Sequence, residues 1–358
     1  MTLTCVRSTL RIACLLATVM TVGVPAEALA AARAQAPARS KKPTLTEAQA
    51  KSRAARLQRV RAARARRARA QAAALKEAKE PRFRLDEAGA LVPDIRADAG
   101  IIYNPVTGEV LWEHNSLDQR SIASITKVMT ALVVIEDGSD LDQAVTLELI
   151  DTRRASTTYV RRGDVITRGD LLHLLLIGSD NAAARALARV SPHGPVGFID
   201  RMNETAARMG LTSTFYADSS GLLSANVSSA YDMARLITHV SADSRISGIM
   251  RKQRYTLTAG RRTITVGSTN QLVTVGDVQV EAGKTGFIRK AGYCLATLLR
   301  LPEGGQPVAV VVLGARSNAG RFWETRHLFN WLASKAEDVL GATVEAAAEE
   351  SVSPAALP

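Results

Sequence analysis

The chain has 358 residues, of which 46% are hydrophobic and 22% charged, with a formal net charge of +12. That is enough apolar material for a large core with tails, while an aromatic content of only 4% excludes a base-stacking platform of the single-strand-binding kind. The charge is confined to one place: residues 31–82 carry a net +13 and residues 83–358 a net −2. A basic globular nucleic-acid-binding domain is therefore excluded, and no nucleic-acid partner is expected.

The first segment is a targeting signal. Arg7 and Arg11 precede an apolar run over 12–24, and Ala28-Leu29-Ala30 follows. This is the order of a secretory signal peptide over 1–30. The run is shorter than the roughly 20 residues of a membrane span, so an uncleaved anchor is the weaker alternative. Cys14 stands at the wrong end of the run to be a lipidated cysteine. Cleavage after Ala30 removes Cys5 and Cys14 and leaves Cys294 with no partner for an internal disulfide. An exported chain of this size without disulfides suits a bacterial periplasm. No other apolar run reaches 18 residues, so the rest is expected to be soluble.

Residues 31–82 read as a linker, disordered or partly helical. Residues 51–80 hold 11 Ala and 11 Lys or Arg, and the large apolar residues there are Leu57, Val60 and Leu75. Ala and Arg form helix readily, but there is too little apolar surface for a packed domain. Such a segment serves either as electrostatic attachment to an anionic envelope surface or as a solvated spacer.

The body is expected over 83–344. Residues 99–103 and 109–112 flank Asn104-Pro105-Val106-Thr107-Gly108 as a hairpin. A helix starts near Ser124, with Ile125, Val128, Met129 and Leu132 on one face, and stops at Asp137-Gly138. Further helices are expected over 171–177, 182–190, 195–209 and 229–241, then strands over 273–280, 293–300 and 308–313. A last helix spans about 321–340 and a disordered tail 345–358. Strands, a block of helices, then strands and a helix give an α+β class, an antiparallel sheet flanked by helices.

Three short motifs carry chemistry. In Ser124-Ile125-Thr126-Lys127, the Ser and Lys fall one helical turn apart on the same side. A lysine amine of depressed pKa can take the proton that makes an alcohol nucleophilic. Taken alone, the pattern fits a capping Ser beside a solvated Lys equally well. Ser179-Asp180-Asn181 interrupts two apolar helices, and by itself it reads first as a helix cap by Ser179 or Asn181. Lys284-Thr285-Gly286 stands beside a strand edge, where a Gly lets a peptide backbone approach. That tripeptide is expected by chance on the order of once in several thousand positions. The five His show no His-x-x-x-His spacing, and Cys294 is isolated, so no metal is expected. His173, in an apolar helix, reads as a satisfied core histidine.

With these motifs in this order, the chain resembles the low-molecular-mass penicillin-binding proteins of the D-alanyl-D-alanine peptidase kind, and among them the periplasmic endopeptidases. The stretches Arg120-Ser121-Ile122-Ala123-Ser124-Ile125-Thr126-Lys127, Asp218-Ser219-Ser220-Gly221-Leu222, Ser268-Thr269-Asn270-Gln271-Leu272 and Gly292-Tyr293-Cys294-Leu295 carry the likeness as well. The resemblance covers about 95–335 and implies the transpeptidase fold. It implies that Ser124 is acylated, Lys127 activates it, and Ser179 relays a proton to the leaving amine. Asn181 and Lys284 would bind the peptide, with the Lys284 charge holding Lys127 neutral. Thr285, Gly286 and Phe287 would line the substrate strand, with the N–H groups of Ser124 and Phe287 as oxyanion hole. It implies peptidoglycan peptide stems as substrate, β-lactams as covalent inhibitors and no cofactor.

The resemblance leaves a D,D-carboxypeptidase as the alternative to an endopeptidase. A class A β-lactamase needs a dedicated glutamate base. Between Asn181 and Lys284 only Glu204 and Glu281 stand, and neither sits in a suitable loop. A non-catalytic wall binder has no support from three intact motifs.

Overall fold

The computed structural model describes residues 46–351, so the expected signal peptide (1–30) and the first part of the expected linker lie outside the described residues. The described chain opens with a long helix, α1 (Glu47–Lys79), and the chain divides into two units within it, after Arg67. No helix among the described residues is long and apolar enough to cross a membrane.

The body starts with a small hairpin, β1 (Phe83–Leu85) with β2 (Leu91–Pro93). β3 (Ala99–Tyr103) and β4 (Val110–His114) then form the expected hairpin. Its turn is set by Asn104, whose Oδ1 accepts from the N–H of Val106 at 2.9 Å. After β5 (Arg120–Ser121), a 3₁₀ turn over Ala123–Ile125 leads into α2 (Thr126–Glu136), which stops at Asp137-Gly138.

The helical block follows: β6 (Ala144–Thr146), α3 (Leu149–Thr152), β7 (Val165–Thr167), α4 (Arg168–Ile177), α5 (Asn181–Arg189) and α6 (Gly194–Arg208). β8 (Val227–Ser228), α7 (Ala230–Ser241) and α8 (Ser244–Met250) close it. The remainder is β9 (Arg254–Ala259), β10 (Arg262–Gly267), α9 (Gln271–Val275), β11 (Gln279–Ile288), β12 (Gly292–Arg300), β13 (Pro307–Ala315) and α10 (Asn318–Ser351).

The main sheet is antiparallel throughout, in the order β11-β12-β13-β3-β4, the α+β architecture expected. Side chains alternate across it with the period of two that a strand imposes. Along β13, Ala309, Val311 and Leu313 pack with the helical block, while Val308, Val310 and Val312 pack under α10 with Phe322, Leu328 and Phe329. The sheet is thus buried on both faces, which is why its strands read as continuous apolar runs rather than alternating ones.

Three expectations are corrected. Residues 273–280 are not one strand. Asn270 caps α9 through its side chain, and Gly276, at φ 74, ends the helix in the left-handed region; the strand begins only at Gln279 and holds Lys284-Thr285-Gly286 within it. The hairpin β9–β10, closed at Gly260, was not expected. The last helix runs on to Ser351, past the expected end at 340, because Ala and Glu favour helix strongly. His173 is half-buried: its Nδ1 lies 2.8 Å from the Gly169 carbonyl and its ring stacks on Tyr255 at 3.8 Å.

Candidate active site

The three motifs converge. Ser124 lies in the 3₁₀ turn that opens α2, and its position is fixed by glycines on two sides. Gly221 has φ 78, and a Cβ built on it would stand 2.0 Å from the Ala123 carbonyl oxygen. A Cβ on Gly286 would stand 2.6 Å from the Ile122 carbonyl oxygen and 3.2 Å from the Ser124 nitrogen. Only hydrogen fits at either point, so the loop after Tyr216 and the strand β11 both press on the backbone that carries the serine. Ala123 itself has φ 49, a left-handed conformation that is costly for a residue with a Cβ.

Lys127, one turn on, is fully buried. Its Nζ donates to Ser124 Oγ at 2.9 Å, to Asn181 Oδ1 at 2.6 Å and to the Ser220 carbonyl. Burial pushes this amine down from 10.5 to about 7; the carboxylates of Asp218 and Asp180 pull the other way, and Arg185 adds to the downward push. A lysine lowered this far is unprotonated in part near neutral pH and can take a proton from the hydroxyl it touches.

Ser179 and Asn181 sit in the break between α4 and α5. The capping duty falls on Asp180, whose Oδ1 accepts from Ala183 N–H at 2.9 Å. Its Oδ2 takes Tyr159 N–H at 2.6 Å and the Thr158 hydroxyl at 3.1 Å. With the middle residue serving the helix, its two neighbours face the site. Ser179 is held at φ 59, and its Oγ accepts from Lys284 Nζ at 2.9 Å. Asn181 gives its oxygen to Lys127 and one N–H to the Ala155 carbonyl at 2.6 Å. A carboxamide has two N–H groups and two lone pairs, so one of each remains for a ligand.

Lys284 is buried in β11 and also donates to the Thr285 carbonyl at 2.9 Å. Burial, then Lys127 and Arg321, push its ammonium well below its usual value. The dominant cause for Lys127 is its own burial rather than the charge of Lys284, which differs from the expectation. Thr285 Oγ1 meets Thr269 Oγ1 at 2.6 Å. Phe287 is half-exposed at the rim, stacked on Tyr293 with ring centroids 4.2 Å apart.

Three contributors carried no role in the sequence reading. Asp218 accepts from the N–H groups of Ser220 at 2.6 Å, Gly221 at 2.7 Å and Leu223 at 2.7 Å, and from the Ser220 hydroxyl at 2.8 Å. Burial raises its pKa, but these hydrogen bonds outweigh burial and leave the net shift downward. It thereby shapes the loop that brings Gly221 and the Ser220 carbonyl to Ser124 and Lys127. Arg321, from α10, braces the strand: its Nη1 donates to the Gly286 carbonyl at 2.9 Å and the Cys294 carbonyl at 3.1 Å. Thr269 holds Thr285. The Asp-x-x-Gly spacing at 218–221 was the available signal for the first. Arg321 had none, since it acts on backbone across a large sequence separation.

Among the described residues no group of His, Cys, Asp and Glu could hold a metal ion. Cys294 is buried and its thiol is pushed up to about 11 by burial, so it is a poor nucleophile. Glu281 is tied to Arg300 at 2.8 Å and Arg251 at 3.5 Å, and Glu204 is mostly exposed beside Arg201.

Comparison with known proteins agrees with this geometry. The chain is 32% identical to the D-alanyl-D-alanine endopeptidase of Pseudomonas aeruginosa, over 68% of this chain and 79% of that protein. It is also 32% identical to the D-alanyl-D-alanine endopeptidase of Escherichia coli, over 67% and 78%. Among solved structures, the Streptomyces K15 DD-transpeptidase superposes with a TM-score of 0.62 at 28% identity, covering 67% of this chain and 97% of that one. The family model described as D-alanyl-D-alanine carboxypeptidase matches residues 86–317. That match takes in every strand of the main sheet and every residue of the three motifs, so the chain belongs to the D-alanyl-D-alanine carboxypeptidase family and is a low-molecular-mass penicillin-binding serine peptidase that hydrolyses D-alanyl-D-alanine-type peptide bonds of peptidoglycan.

Proposed function

We propose that Ser124 is the acylated nucleophile of an exported endopeptidase that opens D-alanine-containing cross-links, with Lys127 as its general base. The observation that carries this reading is the Lys127 amine, fully buried, with its pKa lowered to about 7, at 2.9 Å from Ser124 Oγ. Ser124 Oγ attacks the carbonyl carbon of the D-alanine while its proton passes to Lys127 Nζ. The oxyanion that forms is met by the N–H groups of Ser124 and Phe287. The C–N bond then breaks as the proton taken up by Lys127 is returned to the leaving amine, relayed by the Ser179 hydroxyl that Lys284 holds in place, so Lys127 is neutral again and Ser179 keeps its hydroxyl. Water cleaves the Ser124 ester and restores the hydroxyl. The peptide would lie along β11 as an added strand, with Asn181, Lys284, Thr285 and Gly286 against its backbone. A β-lactam follows the same first step, but its leaving nitrogen stays tethered, so the ester persists.

The endopeptidase preference has a local rationale in Phe287, an apolar ring at the rim of the site, and it agrees with the names of the two bacterial relatives. Export rests on the signal-peptide pattern of residues 1–30. The test is labelling with a fluorescent penicillin: the wild type takes up label and Ser124→Ala does not. Equal labelling of the two would sink the assignment of Ser124.

A further inference from the structure

No step of the proposed mechanism draws on the charges of α1. Between Lys51 and Arg69 stand nine Lys or Arg and no acidic residue, all exposed on one continuous helix. At 1.5 Å rise per residue this is about one positive charge for every 3 Å of axis. The charges do not share a face. At 100° per residue, Lys51 and Arg69 point one way, Arg59 and Arg66 stand about 70° round, Arg56 and Arg67 about 150°, Arg53 and Arg64 about 210°, and Arg61 about 280°.

A helix that lies on a lipid surface buries an apolar face, and here Leu57 and Val60 are the only large apolar residues between Lys51 and Arg69. A flat headgroup layer would also meet only one side of the rod, leaving the opposite charges in water. A flexible polyanion can wrap all sides. The helix moreover works against itself: Arg53 with Arg56, Arg56 with Arg59, Arg61 with Arg64, Arg64 with Arg67 and Arg66 with Arg69 are like charges three residues apart, which destabilise a helix. A surrounding anionic polymer removes that repulsion and releases counterions.

Resting on the proposed function, we propose that α1 is a docking rod for the free carboxylates of uncut peptidoglycan, holding the enzyme on its own substrate. The helix needs no specific side-chain pocket for this. Charge density and all-round exposure suffice, and binding tightens the helix.

The experiment is co-sedimentation of the purified full chain with insoluble peptidoglycan, beside a variant in which the nine basic residues from Lys51 to Arg69 are Gln, a good helix former. Peptidoglycan with chemically amidated carboxylates and vesicles of phosphatidylethanolamine with phosphatidylglycerol serve as the other ligands. The wild type should sediment with native peptidoglycan and lose more than about tenfold in affinity between 50 and 200 mM salt, as polyelectrolyte binding by several cations does. The variant and the amidated polymer should both lose that binding. Circular dichroism should show helix content rising when soluble glycan-peptide strands are added to the wild type alone. Equal sedimentation of the variant, equal binding of amidated peptidoglycan, or tighter binding to the vesicles would overturn the proposal. Penicillin acylation of the same preparations, expected to be equal, reads the catalytic assignment separately, so the failure of one is not mistaken for that of the other.

Discussion

Lys127 and Lys284 are both buried, and each holds a serine hydroxyl at 2.9 Å: Lys127 that of Ser124, Lys284 that of Ser179. Two ammonium groups in one dry site cannot both keep their protons easily, and their titrations belong to the pair. The sign of the pH dependence follows from the lowered pKa of Lys127. Below about 7 the amine is protonated and cannot accept the Ser124 proton; above it the base is free. The rate of acylation by a penicillin should therefore rise with pH through about 7 and fall about tenfold per unit on the acid side. Burial is the main cause of the Lys127 shift and no Lys284 charge contributes to it, so Lys284→Gln should leave that limb near 7. A limb that moves to higher pH in Lys284→Gln would show that Lys284 carries a charge that acts on Lys127.

Lys127→Arg keeps the charge and removes the base, because a guanidinium does not deprotonate in a protein. Stopped-flow acylation should slow by about 10²-fold or more, the usual contribution of a positioned general base. A rate near wild type would mean that another group takes the proton.

Asp218 is a positioning residue, acting through the loop it organises. In Asp218→Asn, an amide N–H₂ would face the N–H of Leu223 or the side chain of Asn226, which now donate to a carboxylate oxygen. Leaving the buried Asn226 donor unpaired costs about 1–3 kcal/mol, measurable as a lower urea midpoint. Because the Asp218 charge raises the Lys127 pKa, its loss should also shift the acid limb of the acylation profile to lower pH. A stability loss without that shift would reduce Asp218 to scaffolding.

Much of this site was legible before the fold, and the reasons are local. Ser124 and Lys127 are one helical turn apart, so their meeting follows from helix geometry alone. Lys284 and Ser179 are joined across 105 positions, and only the resemblance could bring them together. The strands β3, β12 and β13 read clearly as apolar runs because both of their faces are covered. The stretch 273–280 misled because Val273, Val275, Val278 and Val280 suggest a strand. The Asn270 cap and Gly276 stop, both visible in the sequence, decided for a helix over part of it. Arg321 could not be found, since its partners are the carbonyl oxygens of Gly286 and Cys294, which every residue possesses.

Gly221→Ala tests the clamp on the nucleophile. The added methyl would collide with the Ala123 carbonyl in a conformation already at φ 78, and neither backbone can yield without moving Ser124. Acylation should fall by about 10²-fold, since a displacement near 1 Å costs that much in a positioned reaction. Circular dichroism should still report a folded body, because the clash is confined to two loops. Retention of full acylation would show that the Ser124 turn tolerates the shift.

The last test concerns which bond is cut. Directly after Lys284-Thr285-Gly286 stands Phe287, half-exposed and stacked on Tyr293. On the proposed reading, a substrate laid along β11 would bring the leaving side of the scissile bond toward this ring. A carboxypeptidase substrate carries a carboxylate there, and a benzyl group would strip its water without pairing it, which is unfavourable. Arg321, close by, is buried beneath the strand, with Nη1 donating to two carbonyl oxygens and Nη2 to Asn318, so it does not reach out to a carboxylate. A cross-linked substrate continues instead as a neutral peptide and tolerates an apolar wall. Purified protein given muropeptide dimers and uncross-linked pentapeptide side by side should cleave the dimers faster. Phe287→Ser should narrow the gap by raising release of free D-alanine, by roughly tenfold if one hydrogen bond to a carboxylate, worth about 1.5 kcal/mol, is regained in the transition state. The dimer rate should change less, since no charge is involved there. Faster release of D-alanine than of monomers by the wild type would make the enzyme a carboxypeptidase with the same Ser124 and Lys127, and would leave Phe287 without a role in the choice.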